Sequence, residues 1–305
     1  FDHVKVGRRQ VGSTFKPFVY ALAIQEGYSP CYQVANVRTC IETPGQPAWC
    51  PDNSDGNKGT GKMVTLRYAL AGSINYVTAW VMKQFGPDAV INLVRRLGIT
   101  APIDAVPSIA LGTPDISVFE MVAANATFAN KGTYIQPTFI TRIEDKNGKV
   151  LEEFFPTTDE VFSEEKAYAM IQLMRGVVDI GTGTRLRFRY NLRNEIAGKT
   201  GTTQNNADGW FMGLTPDLVA GCWVGGEERS VHFNSTNEGQ GASMALPIWG
   251  KFFQKVYADA SLKVSKNGFV KPANMGDVQL DCTEFDRQSA LDIPMEDLDF
   301  EGKDY

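Results

Sequence analysis

A hydroxyl and an amine stand three residues apart at Ser13 and Lys16, within GSTFKPF near the start of the 305-residue chain. Positions i and i+3 of a helix share a face, so Lys16 can reach the Ser13 hydroxyl. If the helix begins at Gly12 or Ser13, the hydroxyl also lies at the positive end of the helix dipole, which favours a developing alkoxide. Pro17 is tolerated only in a first turn. Its missing N–H leaves the Ser13 carbonyl without its usual helical partner. The pattern by itself is cheap: it recurs at Ser163 and Lys166, where Ser163 reads as a helix cap and Lys166 as a solvated side chain.

Two further groups follow. Ser73-Ile74-Asn75 interrupts a helical pattern at a Gly-Ser pair, and alone it reads as a helix cap. Lys199-Thr200-Gly201-Thr202 sits in EIAGKTGTTQNN. A strand carrying a cation, two hydroxyls and a residue without a side chain suits an extended ligand that ends in a carboxylate: the glycine permits close approach while the charge and hydroxyls hold the anion. A surface hairpin is the plain alternative for this last group.

The elements that must position these residues are legible from periodicity. Residues 13–27 read as a helix with Phe15, Val19, Leu22 and Ala23 on one face and Gly27 as the stop. Residues 28–62 are rich in Pro, Gly and Asn and read as loop or short hairpins. Residues 65–98, 116–130, 163–178 and 245–259 read as helices. TYIQPTFITRIEDKNGKVLEEFF alternates around Asn147-Gly148, a hairpin signal. Residues 195–226 read as strands separated by turns. Helices followed by antiparallel strands and a closing helix give an α+β fold with a helical lobe. Residues 263–305, acidic and rich in turns, read as a loosely ordered extension, which sets the domain at 1–262.

Composition narrows the function. Hydrophobic residues make up 43% and the net charge is −5, so a large core is expected and a nucleic-acid partner is not. No apolar run is long enough to span a membrane. The five cysteines form no CxxC and there are two histidines, so no metal site is expected, nor any cofactor. Cys40 and Cys50 flank a PGQP turn. Two readings stand: a disulfide across a hairpin, suited to an oxidising compartment, or two buried thiols. Cys282 is free or paired with another cysteine. Cys222, Trp210 and Trp223 read as core residues and Arg185 as a loop anchor.

Taken in order, SxxK, SxN and KTG form the signature of serine enzymes that act on penicillin and on peptidoglycan stem peptides. RRQVGSTFKPFVYALA, PSIALGTPDISVFEMVAANATFANKGTY, the GTGTRLR loop and GKTGTTQNNADGWFMGLTPDLVAGCWVG extend the match. Over residues 1 to about 260 the chain resembles the transpeptidase domain of class A (bifunctional) penicillin-binding proteins, 1A-like.

The resemblance implies a β-lactamase/DD-peptidase-like fold, an antiparallel sheet flanked by helices. It makes Ser13 the acylated nucleophile and Lys16 its base. Ser73 becomes the proton relay, Asn75 the group that positions Lys16 and the substrate amide, and Lys199 the catalytic cation that with burial keeps Lys16 partly neutral; Thr200, Gly201 and Thr202 form the carboxylate site together with Lys199. The backbone N–H groups of Ser13 and Thr202 become the oxyanion hole. Implied partners are donor and acceptor stem peptides and β-lactam antibiotics, together with an upstream glycosyltransferase domain and membrane anchor in a longer parent. The implied location is the periplasm or the outer face of the bacterial inner membrane. Only twelve residues precede Ser13, whereas two sheet strands precede the nucleophile in that family, so the N-terminal strands are expected outside this chain. A β-lactamase is the nearest rival, but no Glu-x-x-Leu-Asn follows the second motif, and Glu120 in the right interval reads as part of an amphipathic helix. A β-lactam sensor is the non-catalytic rival.

Overall fold

The computed structural model describes residues 1–54 and 56–285. β1 (Arg8–Gln10) leads through a 3₁₀ turn, Gly12–Phe15, into α1 (Lys16–Gln25). Every residue from Lys16 to Ile24 is buried, so α1 is a central helix and not the one-faced helix its periodicity suggests. The Pro- and Gly-rich stretch holds β2 (Gln33–Ala35), which pairs antiparallel with β3 (Met63–Thr65). Next come α2 (Leu66–Ala71) and α3 (Asn75–Arg96), the latter interrupted at Gly86, whose φ of 77° is not helical. β4 (Asp115–Ser117) returns to pair with β1, and Ser117 caps α4 (Val118–Ala129) in a capping box with Glu120. β5 (Thr133–Ile135) precedes the hairpin of β6 (Arg142–Glu144) and β7 (Val150–Glu153), which turns at Asn147-Gly148 as the Asn-Gly signal predicts. β8 (Thr158–Glu160) closes back on β5. α5 (Glu164–Asp179) and the short α6 (Arg185–Phe188) lead to β9 (Ala197–Thr202), β10 (Asp208–Leu214) and β11 (Val219–Gly225). The short α7 (Thr236–Gly239) precedes α8 (Gly241–Ala258), which starts at Gly241 and not at Ala245, because its first turn is small and polar and gives no apolar period.

β9, β10 and β11 form one antiparallel sheet with β10 in the middle. All seven residues of β10 are buried, so both faces are covered. Side chains alternate across a strand. Trp210, Met212 and Leu214 therefore enter the main core with α1, α4 and α5, while Phe211 joins Trp249, Leu246 and Phe253 of α8 on the other face. Gly213 is needed beneath Trp249: a Cβ there would lie 2.4 Å from the indole. This helix–sheet–helix layering is the α+β arrangement expected.

Both cysteine alternatives are resolved by pairing. Cys40 bonds Cys50, and Cys31 bonds Cys282 across 251 residues of sequence, leaving Cys222 free. The described part of the C-terminal segment, 263–285, is held at several points. Ser265 N–H donates to Asp217, Phe269 N–H donates to Glu195, and Phe269, Val278 and Leu280 pack on the main core. The rest of the expected extension, 286–305, lies outside the described residues. Lys166 is not free in solvent either: its Nζ donates to the Gln25 carbonyl at 2.8 Å and ties α5 to the end of α1. Ser163 stands at the N-cap of α5, but its hydroxyl donates to Glu165 and makes no backbone cap bond.

Candidate active site

The turn that carries Ser13 is 3₁₀, in which residues i and i+3 share one side, and Lys16 follows it as the first residue of α1. The Lys16 amine bonds Ser73 and Asn75 and makes no hydrogen bond to the Ser13 hydroxyl. The same geometry answers the proline: Lys16 N–H donates to the Ser13 carbonyl that Pro17 cannot serve. The carbonyl expected to be orphaned therefore has a partner one residue earlier than in an α-helix. From Val11 to Ile24, Ser13 is the one residue not buried; it is half-buried within an otherwise closed segment. Gly12 makes the turn possible, with φ 54° and its backbone against β9. A Cβ on Gly12 would lie 2.7 Å from the Thr202 carbonyl, and one on Gly112 would collide with the Gly12 carbonyl. The Ser13 turn is thus clamped between the KTG strand and the Leu111-Gly112 turn.

Ser73 terminates α2 in a Schellman arrangement. Its N–H bonds Leu70 O, and Ile74 N–H bonds Ala69 O. The left-handed position of that motif usually takes glycine. Here Gly72 lies one place early and Ser73 itself has φ 57°. A serine in this region costs about 1 kcal/mol or more, and its hydroxyl sits between two lysines. Lys16 Nζ is 3.1 Å from Ser73 Oγ, and Lys199 Nζ is 3.0 Å from it. Lys16 Nζ also donates to Ser73 O and to Asn75 Oδ1, each at 2.6 Å, and Lys199 Nζ to Thr200 O at 3.1 Å. The three motifs, far apart in sequence, meet at one hydroxyl.

Both lysines are completely buried. Burial pushes the Lys16 amine well below the ordinary lysine range, and the charge of Lys199 pushes it further. Burial lowers Lys199 to about 7. Two ammonium groups beside one hydroxyl disfavour each other, which favours one neutral amine in the pair. Thr200 shares a 2.6 Å hydrogen bond with Thr182, and Thr202 Oγ1 accepts from Gly241 N–H at the start of α8, which leaves its own proton free to donate. Gly201 lets β9 pass over Val11 and Thr14, where a Cβ would lie 2.8 Å from the Val11 carbonyl. A carboxylate set along this edge would meet Lys199, two hydroxyls and the positive end of α8.

All eight candidate residues fall in this one region. Sequence reasoning missed others. Thr182 reaches Thr200 because Gly181 packs on the Ala71 carbonyl, and Asp52 and Asn53 hold Asn75. Their only sequence signal is a Gly/Asn-rich loop. Arg185 is the loop anchor expected, donating to Ala242 O and Ser243 Oγ at the start of α8. Glu120 is fully engaged: Oε1 accepts from Thr100 N–H, the Thr100 hydroxyl and Ala101 N–H, and Oε2 accepts from Ser117. Burial pushes its carboxyl up, but the bonds from Thr100 and Ser117 outweigh that and hold it low. Trp210 is the core residue expected; its indole N–H donates to Gln10 O, and it borders a cavity of about 450 Å³ near β1.

Known proteins resemble this chain in sequence and in fold. The family model described as "Penicillin binding protein transpeptidase domain" matches residues 6–221. Penicillin-binding protein 1A of Aquifex aeolicus is 32% identical over 287 residues, covering 92% of this chain and 38% of that protein. Penicillin-binding protein 2D of Bacillus subtilis is 34% identical over 290 residues, covering 92% of this chain and 40% of that protein. The chain therefore spans about two fifths of the length of these relatives. Among solved structures, penicillin-binding protein 1A of Haemophilus influenzae superposes with a TM-score of 0.76 at 26% identity, covering 85% of this chain and 44% of that one. PonA1 of Mycobacterium tuberculosis, a penicillin-binding protein, gives 0.74 at 25%, covering 90% and 74%.

Proposed function

The chain belongs to the penicillin-binding protein transpeptidase family, and from that premise we propose that it is a serine D,D-transpeptidase that cross-links peptidoglycan stem peptides and is acylated by β-lactams at Ser13. The observation that carries this reading is the Ser73 hydroxyl held between two buried lysines, one of them Lys16, three residues after the half-buried Ser13. Neutral Lys16 takes the Ser13 proton as Oγ attacks the carbonyl of the penultimate D-Ala. The Ser13 and Thr202 N–H groups hold the oxyanion; the contact of Gly12 with Thr202 supports their nearness. Ser73 Oγ carries the proton from Lys16 to the departing D-Ala amine, the C–N bond breaks, and an ester on Ser13 remains. Protonated Lys199, Thr200 and Thr202 hold the terminal carboxylate. An amine of a second stem then attacks the ester, forms the cross-link and restores Ser13. A β-lactam opens at the same step, but its leaving nitrogen stays tethered.

Hydrolysis by a β-lactamase route lacks a base here: Glu120, in the right interval, has its oxygens engaged by Thr100, Ala101 and Ser117. The two disulfides suit an oxidising, extracytoplasmic compartment, in keeping with a location in the periplasm or on the outer face of the inner membrane. Among the described residues no helix is long and apolar enough to cross a membrane. The catalytic unit is taken as residues 1–262 with an extension beyond it, and an upstream glycosyltransferase domain and anchor are part of the proposed parent. Labelling with a fluorescent penicillin on a denaturing gel tests the reading. Wild type should give a stable band and Ser13→Ala none; equal bands would dismiss Ser13 as the nucleophile.

A further inference from the structure

Asn75 is held from outside the three motifs. Its backbone N–H donates to Asn53 Oδ1 at 2.9 Å, and its side-chain Nδ2 donates to the Asp52 carbonyl at 2.7 Å. The first bond fixes the backbone that carries the amide, and the second decides which way the amide faces. Nδ2 must point to a carbonyl, so Oδ1 is left toward Lys16, which donates to it at 2.6 Å. Turned by half a rotation, the same amide would set N–H donors against the Lys16 amine. The residue at the N-cap of α3, Ile74, supplies no side-chain cap, so Asn53 caps that helix from a segment 22 residues away.

The loop carrying Asp52 and Asn53 is itself tied down. The Cys40–Cys50 disulfide closes its stem, and Ile41 and Trp49 exchange backbone bonds of 2.9 and 2.8 Å beside it. Pro51 is buried. Arg38 lies 3.4 Å from the Asp52 carboxylate, and Asn53 Nδ2 donates to the Asn57 carbonyl at 3.0 Å. The result is a short, cross-linked strut from the disulfide to the amide that holds Lys16.

We infer that Asn53, acting with the Asp52 carbonyl, is a positioning residue for the acyl-transfer centre, and that the disulfide-closed loop exists to fix the orientation of Asn75 against Lys16. The inference rests on the proposed transpeptidase reading and adds to it a part that none of the three motifs contains. The other charged group bearing on Lys16 is Lys199, on the opposite side of Ser73.

The test measures the second-order rate constant of acylation by a fluorescent penicillin as a function of pH, using the full chain with its disulfides formed. Wild type is compared with Asn53→Ala, Asn53→Asp and the double variant Cys40→Ser/Cys50→Ser. Asn53→Ala should acylate between about 10- and 100-fold more slowly, the scale of loss when a reacting group is misplaced by about 1 Å. Its rising limb should move to lower pH, because protonated Lys16 loses the Asn75 acceptor. Asn53→Asp keeps an acceptor oxygen and should recover most of the rate. The double cysteine variant should change in the same direction as Asn53→Ala. A merely structural role would lower the fraction of protein labelled and leave rate constant and pH limb unchanged; that result overturns the inference. If Asn53→Ala does not fold by circular dichroism, the cysteine variant decides, and a wild-type rate and limb there overturn it. A wild-type protein that is not labelled at all would instead sink the transpeptidase reading, and the inference with it.

Discussion

Lys16 and Lys199 are both buried and share one half-buried hydroxyl, so on the proposed mechanism their protons bear on both rate and stability. Acylation by that mechanism needs Lys16 neutral and Lys199 charged. With Lys199 at about 7 and Lys16 well below its ordinary value, kcat/KM-type acylation constants should be bell-shaped in pH, with the falling limb near 7 in the free protein. Lys199→Arg carries a cation that does not titrate and should lose that limb. A wild-type profile that keeps climbing to roughly pH 9 would show that acylation does not need charged Lys199. Stability runs the same way in sign. The folded pKa of Lys199 lies below its unfolded value, so the unfolded chain binds more protons between about 7 and 10.5. The penalty is full below that window and disappears as pH rises through it. Lys199→Met should therefore raise Tm by several degrees near pH 6 and change it little near pH 10, while abolishing tight carboxylate recognition. A calorimetric scan at both pH values checks this; equal shifts would contradict it.

Ser13, Lys16 and the KTG strand were legible as elements because each carries a local signal: a proline confined to a first turn, and an alternating strand with a glycine in it. What local signals did not give is the exact turn. A 3₁₀ start and an α start differ only in which N–H serves the Ser13 carbonyl, and that depends on β9 and Gly112 pressing on Gly12. Ser73 likewise looked like a cap, since nothing local says that serine and not Gly72 takes the left-handed position. Asp52 and Asn53 were illegible for the same reason: their partner is 22 residues away in the case of Asn53. The clamp on Gly12 makes a sharp prediction. Gly12→Ala places a Cβ against the Thr202 carbonyl at a φ that alanine resists. Acylation should fall by about 100-fold, the loss expected when the nucleophile shifts by about 1 Å. Stopped-flow labelling would measure it, and a loss smaller than about tenfold would mean the turn adjusts without moving Ser13.

On the scale of the molecule, the helix–sheet–helix order followed from the succession of periodic segments, but its closure did not. An acidic, turn-rich stretch after residue 262 carries no periodicity, so it read as loose, yet Phe269, Val278 and Leu280 lie on the main core and Cys282 is bonded to Cys31 beyond the end of α1. Composition cannot reveal a contact 251 residues long. That bond closes nearly the whole described chain into one loop, from the segment after the nucleophile helix, past the sheet, and back. Chain entropy gives a cross-link of this length roughly 5 kcal/mol at most, and the packing of the tail adds to it. Cys282→Ser should therefore lower the denaturant midpoint and Tm clearly, while leaving the acylation rate of the folded protein unchanged, since Cys282 touches none of the three motifs. Reducing wild type under native conditions confounds this bond with Cys40–Cys50, so the single substitution is the cleaner measurement. A variant as stable as wild type would mean that the segment rests on the domain without bracing it; a slower but equally stable one would tie the tail to the catalytic loops instead.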